Sequence, residues 1–443
     1  MDNIEVSVIM PSLNVADYIE ECIQSALNQT LKNMELICID AGSEDGTWEI
    51  LKKYENLSCT GKKVRLVRSD KKSYGYQVNL GIRLAAGKYI AVLETDDMAE
   101  EHMYEYLHRL ADAHGLDFIK ADYDWFYTFR NGDRHYETIP LWQGTFNKYN
   151  IVLDPSNDAY LYSRDYSIWA GIFNKDFLVR NNIWLNETKG AAYQDIGFAQ
   201  QVLACAKRAY YSDQSFYRYR RDREMSSVNS GYGLKYARQE FTRLLSDIDI
   251  HNKLICRQGF YWHMASSFVG EYQKALAWVD YDTDSEHVRS DYAWFRATLM
   301  KAVGQSEFDL SRLPDGFKEE LLHILGDCRS YAGDIRKRAE KAKEVKDGLM
   351  RIIGSSDVAV FGAGKWGNAA VRKLIQNGIK PIAIYDNNKE IWGERICGVI
   401  IGEPEKPADN VLVFIANKLN GREIMQQMMD LGTLQNQIVF WEG

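Results

Sequence analysis

Three carboxylates stand within four positions of one another, directly after an apolar run. The run covers residues 89–93, and Glu94, Asp96 and Asp97 follow it. Carboxylates at the end of a buried strand are costly to desolvate unless they are paired or bound to a metal. Hard divalent cations are held in proteins by one or two carboxylates plus phosphate. The alternative is a solvated turn whose acidic residues favour the start of the next helix, and these residues alone leave both interpretations open.

A second acidic position follows another apolar run upstream. Residues 35–39 end at Asp40, which opens a turn rich in Gly and Ser over residues 41–46. A carboxylate there can accept hydrogen bonds from a base or a ribose, and such a turn leaves backbone N–H groups for polar ligand atoms. The alternative is an Asx turn or a helix cap. Taken with the acidic cluster at 94–97, Asp40 favours a pocket for a nucleotide whose diphosphate needs a metal.

The elements that must position these residues alternate between strand and helix. Strands are predicted at 6–10, 35–39, 64–67 and 88–93, and helices at 16–28, 47–54 and 77–86. Such alternation predicts an α/β fold with a mainly parallel sheet and helices on both faces. Ligands of these sheets bind outside the carboxyl ends of the strands. The polar clusters at 11–14, 40–46 and 94–97 are all expected at that edge.

Composition narrows the class of protein. A chain of 443 residues predicts two or three domains. A net charge of −8 argues against nucleic-acid binding. The sequence has no apolar run of about 18 residues and no signal-like N-terminus, so we expect a cytoplasmic protein. Its seven cysteines are scattered and form no C-x-x-C pair, which predicts reduced thiols.

The chain divides by composition into three regions. We predict a nucleotide-binding α/β domain over residues 1–230, a mainly helical region over 231–347, and a small α/β domain over 348–443. The helical region ends in a charged segment at 334–343. That segment suits a solvated linker laced with ion pairs. It also suits peripheral contact with anionic lipid at the inner face of a membrane.

The last region carries a dinucleotide-binding fingerprint. A predicted strand at 357–361 runs into Gly362, Gly364 and Gly367, and a second strand ends at Asp386. The glycines let backbone approach a diphosphate at a helix N-terminus, and the acid stands where a ribose ligand belongs. We expect either NAD or another nucleotide here, or a docking module that retains the fold and forms a homo-oligomer.

Several N-terminal motifs together resemble those of family-2 glycosyltransferases with the GT-A fold, and the resemblance covers roughly residues 4–230. The motifs are Pro11-Ser12-Leu13-Asn14, Tyr18-Ile19, Gln29-Thr30, the segment 35–47, Asn79-x-Gly81, the segment 86–90 and Glu94-Thr95-Asp96-Asp97. They occur in the family's order and at its intervals. The resemblance implies a nucleotide-sugar-binding domain that transfers sugars.

The resemblance also implies roles on the donor side. Asp40 would contact the nucleobase, and Pro11, Leu13 and Asn14 would line the donor pocket. Further on, the segments 218–223 and 226–230 resemble a stretch found in members that build bacterial surface polysaccharides. Arginine binds phosphate through two hydrogen bonds, so one or more of these arginines could contact the leaving diphosphate, with Arg220 as our candidate. The alternative is that they lie on a solvated surface.

For the metal, the resemblance implies that Asp96 ligates Mg²⁺ or Mn²⁺, while Glu94 and Asp97 contact ribose or metal. Glu94 is a departure, because the family's D-x-D motif usually begins with Asp at this position. For the base, the family pattern E-D-x-x-F matches residues 194–198. Here Gln194 replaces the first acid, which leaves Asp195 as the candidate to take the proton of the acceptor hydroxyl. The alternative reading of Asp195 is a helix N-cap.

These expectations describe a metal-dependent, hexosyltransferase-like enzyme. One base without a second nucleophilic carboxylate favours inversion at the anomeric carbon. A UDP-sugar is the favoured donor, and a glycan or lipid-linked glycan of a bacterial surface polymer, such as lipopolysaccharide or capsule, is the expected acceptor. Two alternatives stay open from the sequence: an NAD-type oxidoreductase centred on residues 362–367, and a nucleotide-sugar-binding scaffold that lacks catalytic activity.

Overall fold

The computed structural model describes residues 4–55, 62–128, 134–142, 147–191, 193–221, 231–417 and 420–441. The chain divides into two compact units. The first contains residues 1–125 and 138–336, and the second contains residues 126–137 and 337–443. Among the described residues, no helix is long and apolar enough to cross a membrane.

Ten strands form the larger sheet: β1 Val6–Ser12, β2 Met34–Asp40, β3 Lys63–Arg68, β4 Tyr89–Val92, β5 Met98–Ala99, β6 Phe118–Thr128, β7 Arg134–Ile139, β8 Val152–Leu153, β9 Gly171–Asn174 and β10 Ala209–Arg220. Their order is β3-β2-β1-β4-β9-β6-β10-β5, with β7 beside β6 and β8 beside β10. The pairs among β3, β2, β1 and β4 are parallel, whereas β9 runs antiparallel to β4 and β6. The parallel α/β sheet predicted for the first hundred residues is therefore confirmed.

The helices of this part of the chain are α1 Ala16–Leu27, α2 Thr47–Lys52, α3 Tyr74–Leu84, α4 Met103–His114, α5 Ala159–Arg164, α6 Lys175–Arg180, α7 Gln194–Cys205, α8 Gly233–Ser246, α9 Ile248–Lys253, α10 Arg257–Trp278, α11 Glu286–Gly304, α12 Asp315–Gly326 and α13 Cys328–Ile353. A short 3₁₀ helix spans Leu310–Arg312. Between residues 231 and 347 the structure is helical, as the sequence predicts.

Helix α3 shows how local sequence sets the shape of the sheet edge. Ser73 caps it, because the Ser73 hydroxyl accepts a hydrogen bond from the Tyr76 N–H. Gly81 faces β1, and a Cβ atom added there would lie 2.5 Å from the Ile9 side chain. Glycine is therefore required for α3 to pack this closely on β1, which brings the start of α3 to the carboxyl ends of the strands.

A smaller sheet lies in the second unit. Its strands are β11 Asp357–Phe361, β12 Ala383–Tyr385, β13 Arg395–Ile396, β14 Val399–Gly402, β15 Val411–Ile415 and β16 Ile438–Phe440, and its helices are α14 Lys365–Gln376 and α15 Gly421–Asp430. Short 3₁₀ helices span Lys389–Ile391 and Gln435–Gln437. The parallel strands run β14-β12-β11-β15-β16. In chain order this is 3-2-1-4-5, which matches five of the six positions in the dinucleotide-binding order 3-2-1-4-5-6.

Candidate functional site

Asp40 ends β2 and is fully buried. Its Oδ2 accepts hydrogen bonds from the N–H groups of Gly42 (2.9 Å) and Ser43 (3.1 Å) and pairs with the guanidinium of Arg68. Arg68 in turn lies over the ring of Trp48, 3.7 Å from its centroid. The other oxygen, Oδ1, is buried and accepts no hydrogen bond from the described part of the chain. A buried acceptor without a partner is destabilising, so Oδ1 is suited to a donor group on a ligand.

The loop after β1 is joined to the turn after β2 by Asn14. This residue has a positive φ of 53°. Its N–H donates to Ser43 Oγ (2.9 Å), and its side-chain oxygen accepts from the Glu44 N–H (2.9 Å). Pro11 is buried, its carbonyl accepts from Thr95 Oγ1 (2.8 Å), and Leu13 is half-buried beside it. The predicted donor residues Pro11, Leu13 and Asn14 therefore lie at one edge with Asp40.

In the acidic cluster after β4, Asp97 makes different contacts from Glu94 and Asp96. Asp97 is buried, with 2% of its surface exposed. Its two oxygens accept hydrogen bonds from the Tyr217 hydroxyl (2.8 Å) and from the Arg220 N–H (2.8 Å). Burial raises the pKa of Asp97 well above its usual range, and the charge of Asp96 adds to that rise. Asp97 therefore fastens the cluster to β10.

Glu94 and Asp96 are half-buried beside it. Glu94 Oε1 accepts a hydrogen bond from the hydroxyl of Tyr74, and the Glu94 N–H donates to the hydroxyl of Tyr217 (3.2 Å). Tyr217 therefore holds two members of the cluster at once. The sequence motif alone does not reveal Tyr74 or Tyr217, since they lie 20 and 123 positions from Glu94.

Arg220, our candidate for contacting the diphosphate, lies against the cluster, and its guanidinium has protein partners. Its Nε donates to the carbonyl oxygen of Asp96 (2.8 Å), and its Nη2 pairs with Glu21 (2.8 Å). The guanidinium also lies 5.0 Å from the ring centroid of Tyr18. These contacts brace the main chain of the acidic cluster. Residues 222–230, which complete the arginine- and serine-rich segment of the sequence analysis, lie outside the described residues.

Asp195 is in the first turn of α7 and lines a cavity of about 620 Å³. Its Oδ1 accepts a hydrogen bond from the Ile196 N–H (3.0 Å). Burial raises the pKa of Asp195 to about 6, and this rise is opposed by backbone hydrogen bonds and by the charge of Lys120. A general base is most effective when its pKa is close to the working pH. Asp195 has the acidity that such a role needs.

The cavity around Asp195 is lined with aromatic rings. They are Tyr123, Trp125, Tyr166, Trp169, Tyr193, Tyr211 and Tyr219. Trp169 stacks on Tyr217 with ring centroids 4.5 Å apart, and lies 5.1 Å from the ring of Tyr219. Because Tyr217 also binds Asp97, one aromatic stack connects the acidic cluster with the cavity wall. Rings exposed along a cavity are suited to the apolar faces of sugars.

A buried ion pair lines this cavity. Lys120 Nζ pairs with Asp165 Oδ1 (2.5 Å), and the Tyr211 hydroxyl donates to Asp165 Oδ2 (2.7 Å). Both charged side chains are almost completely buried. Burial lowers the pKa of Lys120, and the charge of Asp165 opposes that change. The pair places a cation close enough to Asp195 to influence its acidity.

The acidic cluster fits a divalent cation that arrives with a diphosphate. Among the described residues, no group of three or more His, Cys, Asp or Glu side chains could hold a metal alone. Magnesium commonly takes only one or two carboxylates and completes its shell with phosphate and water. Glu94 and Asp96 supply such carboxylates, whereas both oxygens of Asp97 already accept hydrogen bonds.

In the second unit, the glycine turn has the geometry of its motif. Gly362 has a positive φ of 108°, and a Cβ atom on Gly367 would lie 1.6 Å from the Gly362 carbonyl oxygen. Gly364 precedes α14 as its N-cap. Asp386 follows β12 and accepts hydrogen bonds from the N–H groups of Ala363 (2.7 Å) and Asn388 (2.8 Å). The four predicted residues therefore meet at the carboxyl ends of β11 and β12.

Comparison with known proteins agrees with this geometry. The sequence model described as Glycosyl transferase family 2 matches residues 7–169. The chain is 32% identical over 219 residues to the uncharacterized glycosyltransferase YibD of Escherichia coli, covering 48% of this chain and 61% of that protein. It is 24% identical over 248 residues to glycosyltransferase GlyG of Streptococcus pneumoniae, covering 55% of this chain and 80% of that protein. The chain thus spans less than two thirds of the length of YibD.

Among solved structures, the fold resembles that of S. aureus TarS 1-349 in complex with UDP-GlcNAc. The TM-score is 0.55 at 18% identity, over 76% of this chain and 92% of that one. At this identity the likeness shows a shared fold. Residues 7–169 therefore match the sequence model of glycosyl transferase family 2, their motif residues lie at one sheet edge, and this part of the chain has the GT-A fold that it shares with TarS.

Proposed function

We propose that this chain is a glycosyltransferase that moves a sugar from a nucleotide-sugar donor to a hydroxyl group of a glycan acceptor. The observation that carries the proposal is Asp195, a carboxyl with a pKa of about 6 in a cavity lined by aromatic rings. It belongs to the same compact unit as Glu94 and Asp96. A base and a diphosphate-binding edge are the two parts that sugar transfer requires.

On the donor side, we infer that Asp40 receives the nucleobase. Its Oδ1 is a buried acceptor without a hydrogen bond from the described chain, and the imide N–H of uracil is a donor of matching chemistry. The TarS neighbour was solved with UDP-GlcNAc, which makes UDP-sugars the first donors to test. Glu94 and Asp96 would then face the ribose and the diphosphate, with Mg²⁺ or Mn²⁺ between them. Such an ion supplies positive charge to the leaving diphosphate.

The reaction we propose is a single displacement. As the acceptor oxygen bonds to the anomeric carbon, the bond from that carbon to the phosphate oxygen breaks, and the hydroxyl proton passes to the Asp195 carboxylate. The products are the extended glycan and a nucleoside diphosphate. A single base without a covalent sugar intermediate favours inversion at the anomeric carbon. The aromatic cavity would hold the acceptor sugar so that its hydroxyl lies within reach of Asp195.

The acceptor we propose is a bacterial surface glycan, free or lipid-linked, of the lipopolysaccharide or capsule type. This extends the resemblance of segment 218–223 to members that build surface polysaccharides. A protein with this role would act in the cytoplasm, at the inner face of the membrane. The charged helix α13 offers basic residues for contact with anionic lipid.

The experiment is a thermal-shift screen of nucleotide sugars with and without Mn²⁺, followed by an assay for nucleoside diphosphate release with glycan acceptors. A bound donor stabilises the native state by an amount that grows with the logarithm of its concentration relative to Kd. Release that requires both Mn²⁺ and an acceptor supports the transferase. Protection by NAD(H) but not by UDP with Mn²⁺ would instead favour the oxidoreductase, and donor binding without turnover on any acceptor would favour the scaffold.

For the second unit, we propose that a nucleotide such as NAD binds at the carboxyl ends of β11 and β12. The strand order and the close approach of Gly367 to Gly362 support this proposal. The rival proposal is a module for docking or homo-oligomerisation. Stabilisation of the full chain by NAD that is lost in Gly364→Asp supports the nucleotide site. A concentration-dependent dimer without a nucleotide response supports the docking module.

A further inference from the structure

Two residues that depart from the family pattern, Glu94 and Gln194, belong to one network of hydrogen bonds. Glu94 stands where the family usually has Asp, and Gln194 stands where it usually has Glu. The extra methylene of Glu94 lets its carboxylate accept a hydrogen bond from the hydroxyl of Tyr74. Tyr74 is the first residue of α3, so the donor edge is connected here to the start of that helix.

The start of α3 is in turn fastened to the loop that precedes Asp195. The Tyr74 N–H donates to the Gly190 carbonyl (3.0 Å), and the Gly190 N–H donates to the Lys72 carbonyl (2.9 Å). Ser73 and Gly190 form a parallel β-bridge. Gly190 has a positive φ of 83°, where other residues would be strained. The backbone at 72–74 therefore fixes the position of the loop.

Gln194 closes the network from the other side. Its side-chain Nε2 donates to the Gly190 carbonyl (3.2 Å) and to Thr188 Oγ1 (2.8 Å). Gln194 is buried, with 1% of its surface exposed. An amide can donate to the Gly190 carbonyl, whereas the carboxylate of a Glu at this position could only accept. Gln194 directly precedes Asp195, and its side chain is bound to the same carbonyl oxygen as the Tyr74 N–H.

We propose that Tyr74 and Gln194 are positioning residues that together set the distance between the donor carboxylate Glu94 and the base Asp195. The two departures from the family pattern then act together. The longer acid, Glu94, reaches the Tyr74 hydroxyl, and the Gln194 amide binds the Gly190 carbonyl that the Tyr74 N–H also binds. This inference rests on the proposed transferase function. It assigns a role to two residues that do not touch the reacting atoms.

The test is a double-mutant cycle with Tyr74→Phe, Gln194→Met and the double variant. Phe keeps the ring and the backbone hydrogen bonds but removes the hydroxyl, and Met keeps the length of Gln but removes its donors. We expect each single change to lower kcat about tenfold, because small misplacements of reacting groups are costly. Gln194→Met should leave the donor KM unchanged, whereas Tyr74→Phe should raise it through Glu94. The loss of kcat in the double variant should be at least threefold smaller than the product of the two single losses.

Matched controls separate this role from general damage. Tyr76→Phe removes a hydroxyl two residues along the same helix. Gln201→Met removes a buried amide of the same helix as Gln194, which donates to the carbonyls of Trp184 and Gly197. Neither control should change the kcat effect of Tyr74→Phe. If either couples to it as strongly as Gln194→Met does, the specific link is wrong.

A second measurement makes the outcome independent of turnover. Urea unfolding of the same four proteins should also be non-additive, because the two side chains restrain one backbone segment. The Tyr74 hydroxyl fixes residue 74 through Glu94, and the Gln194 amide binds the Gly190 carbonyl that accepts from the Tyr74 N–H. Additive effects on both kcat and unfolding would overturn the inference. Absence of transfer by the unmodified protein with any donor and acceptor would overturn the proposed function, and the unfolding cycle would then decide the structural link alone.

Discussion

Replacing Asp195 with Asn should strongly lower kcat and, in neutral solution, stabilise the folded protein. Burial raises the pKa of Asp195 from 3.8 to about 6. The ionised carboxylate is therefore less stable in the folded state than in the unfolded chain. At about 1.4 kcal/mol per pKa unit, the shift corresponds to about 3 kcal/mol. Because Asp195 is partly exposed, solvent screening reduces this figure, and we expect the neutral amide to recover about 1–2 kcal/mol.

The size of the stability difference between Asp195→Asn and the unmodified protein depends on pH. Below the unfolded pKa of 3.8 the carboxyl is protonated in both states, and the contribution of the raised pKa to stability is fully present. That contribution is lost as pH rises through the folded pKa of about 6. Asn carries no charge at any pH. The stability advantage of Asp195→Asn should therefore be greatest at pH 8, fall to about half at pH 5, and disappear near pH 3.

The assay is urea unfolding of the full chain at pH 8 and pH 5, alongside measurement of kcat. Asp176→Asn is the control, since Asp176 is an exposed acid in the first turn of α6. Losing that charge should slightly lower stability, because acids favour helix N-termini. For Asp195→Asn, kcat should fall by about 10²- to 10⁴-fold. A variant that is less stable than the unmodified protein at pH 8, or equally stabilised at both pH values, would refute the pKa argument, and full activity would refute the base.

Three further changes follow from the same contacts. Lys120→Met should move the acidic limb of the pH–rate profile to higher pH, because burial raises the pKa of Asp195 and Lys120 opposes that rise. Leaving Asp165 without Lys120 should also lower the free energy of unfolding in urea by about 3 kcal/mol. An acidic limb that does not move would contradict this account. Asp40→Asn should weaken UDP binding about tenfold in calorimetry, since the amide changes the acceptor at the base. Chelation with EDTA should stop turnover and Mn²⁺ should restore it, but not in Asp96→Asn; activity in metal-free buffer would exclude the metal.

The parallel part of the fold could be predicted from sequence because its signals are local. Short runs of apolar residues end at Pro11, Asp40 and Glu94, and each run became a buried strand. Since parallel strands end at one edge, the polar residues that follow them meet there. Helix α3 begins at Tyr74 instead of residue 77, because Ser73 caps it through a side-chain hydrogen bond. Boundaries depend on such caps, which periodicity does not register.

The acceptor side of the site could not be predicted because its contacts are distant in sequence. Tyr217 binds Asp97 across 120 positions. The cavity around Asp195 is formed by residues from strand β6 to helix α10, and no spacing rule connects them. Trp169 shows why composition alone is ambiguous: it is 8% exposed and belongs to the core, yet it also lines the cavity.

The acidic cluster of Glu94, Asp96 and Asp97 contains residues with different physical roles. Asp97 is buried, has its pKa raised, and is fixed to β10 by the Tyr217 hydroxyl and the Arg220 N–H. These two hydrogen bonds hold three carboxylates close together, and the repulsion among their charges disfavours the folded state. A chain selected only for stability would avoid that arrangement. A cation and diphosphate would relieve the repulsion at Glu94 and Asp96, so donor binding should stabilise this edge more than its contact area alone would account for.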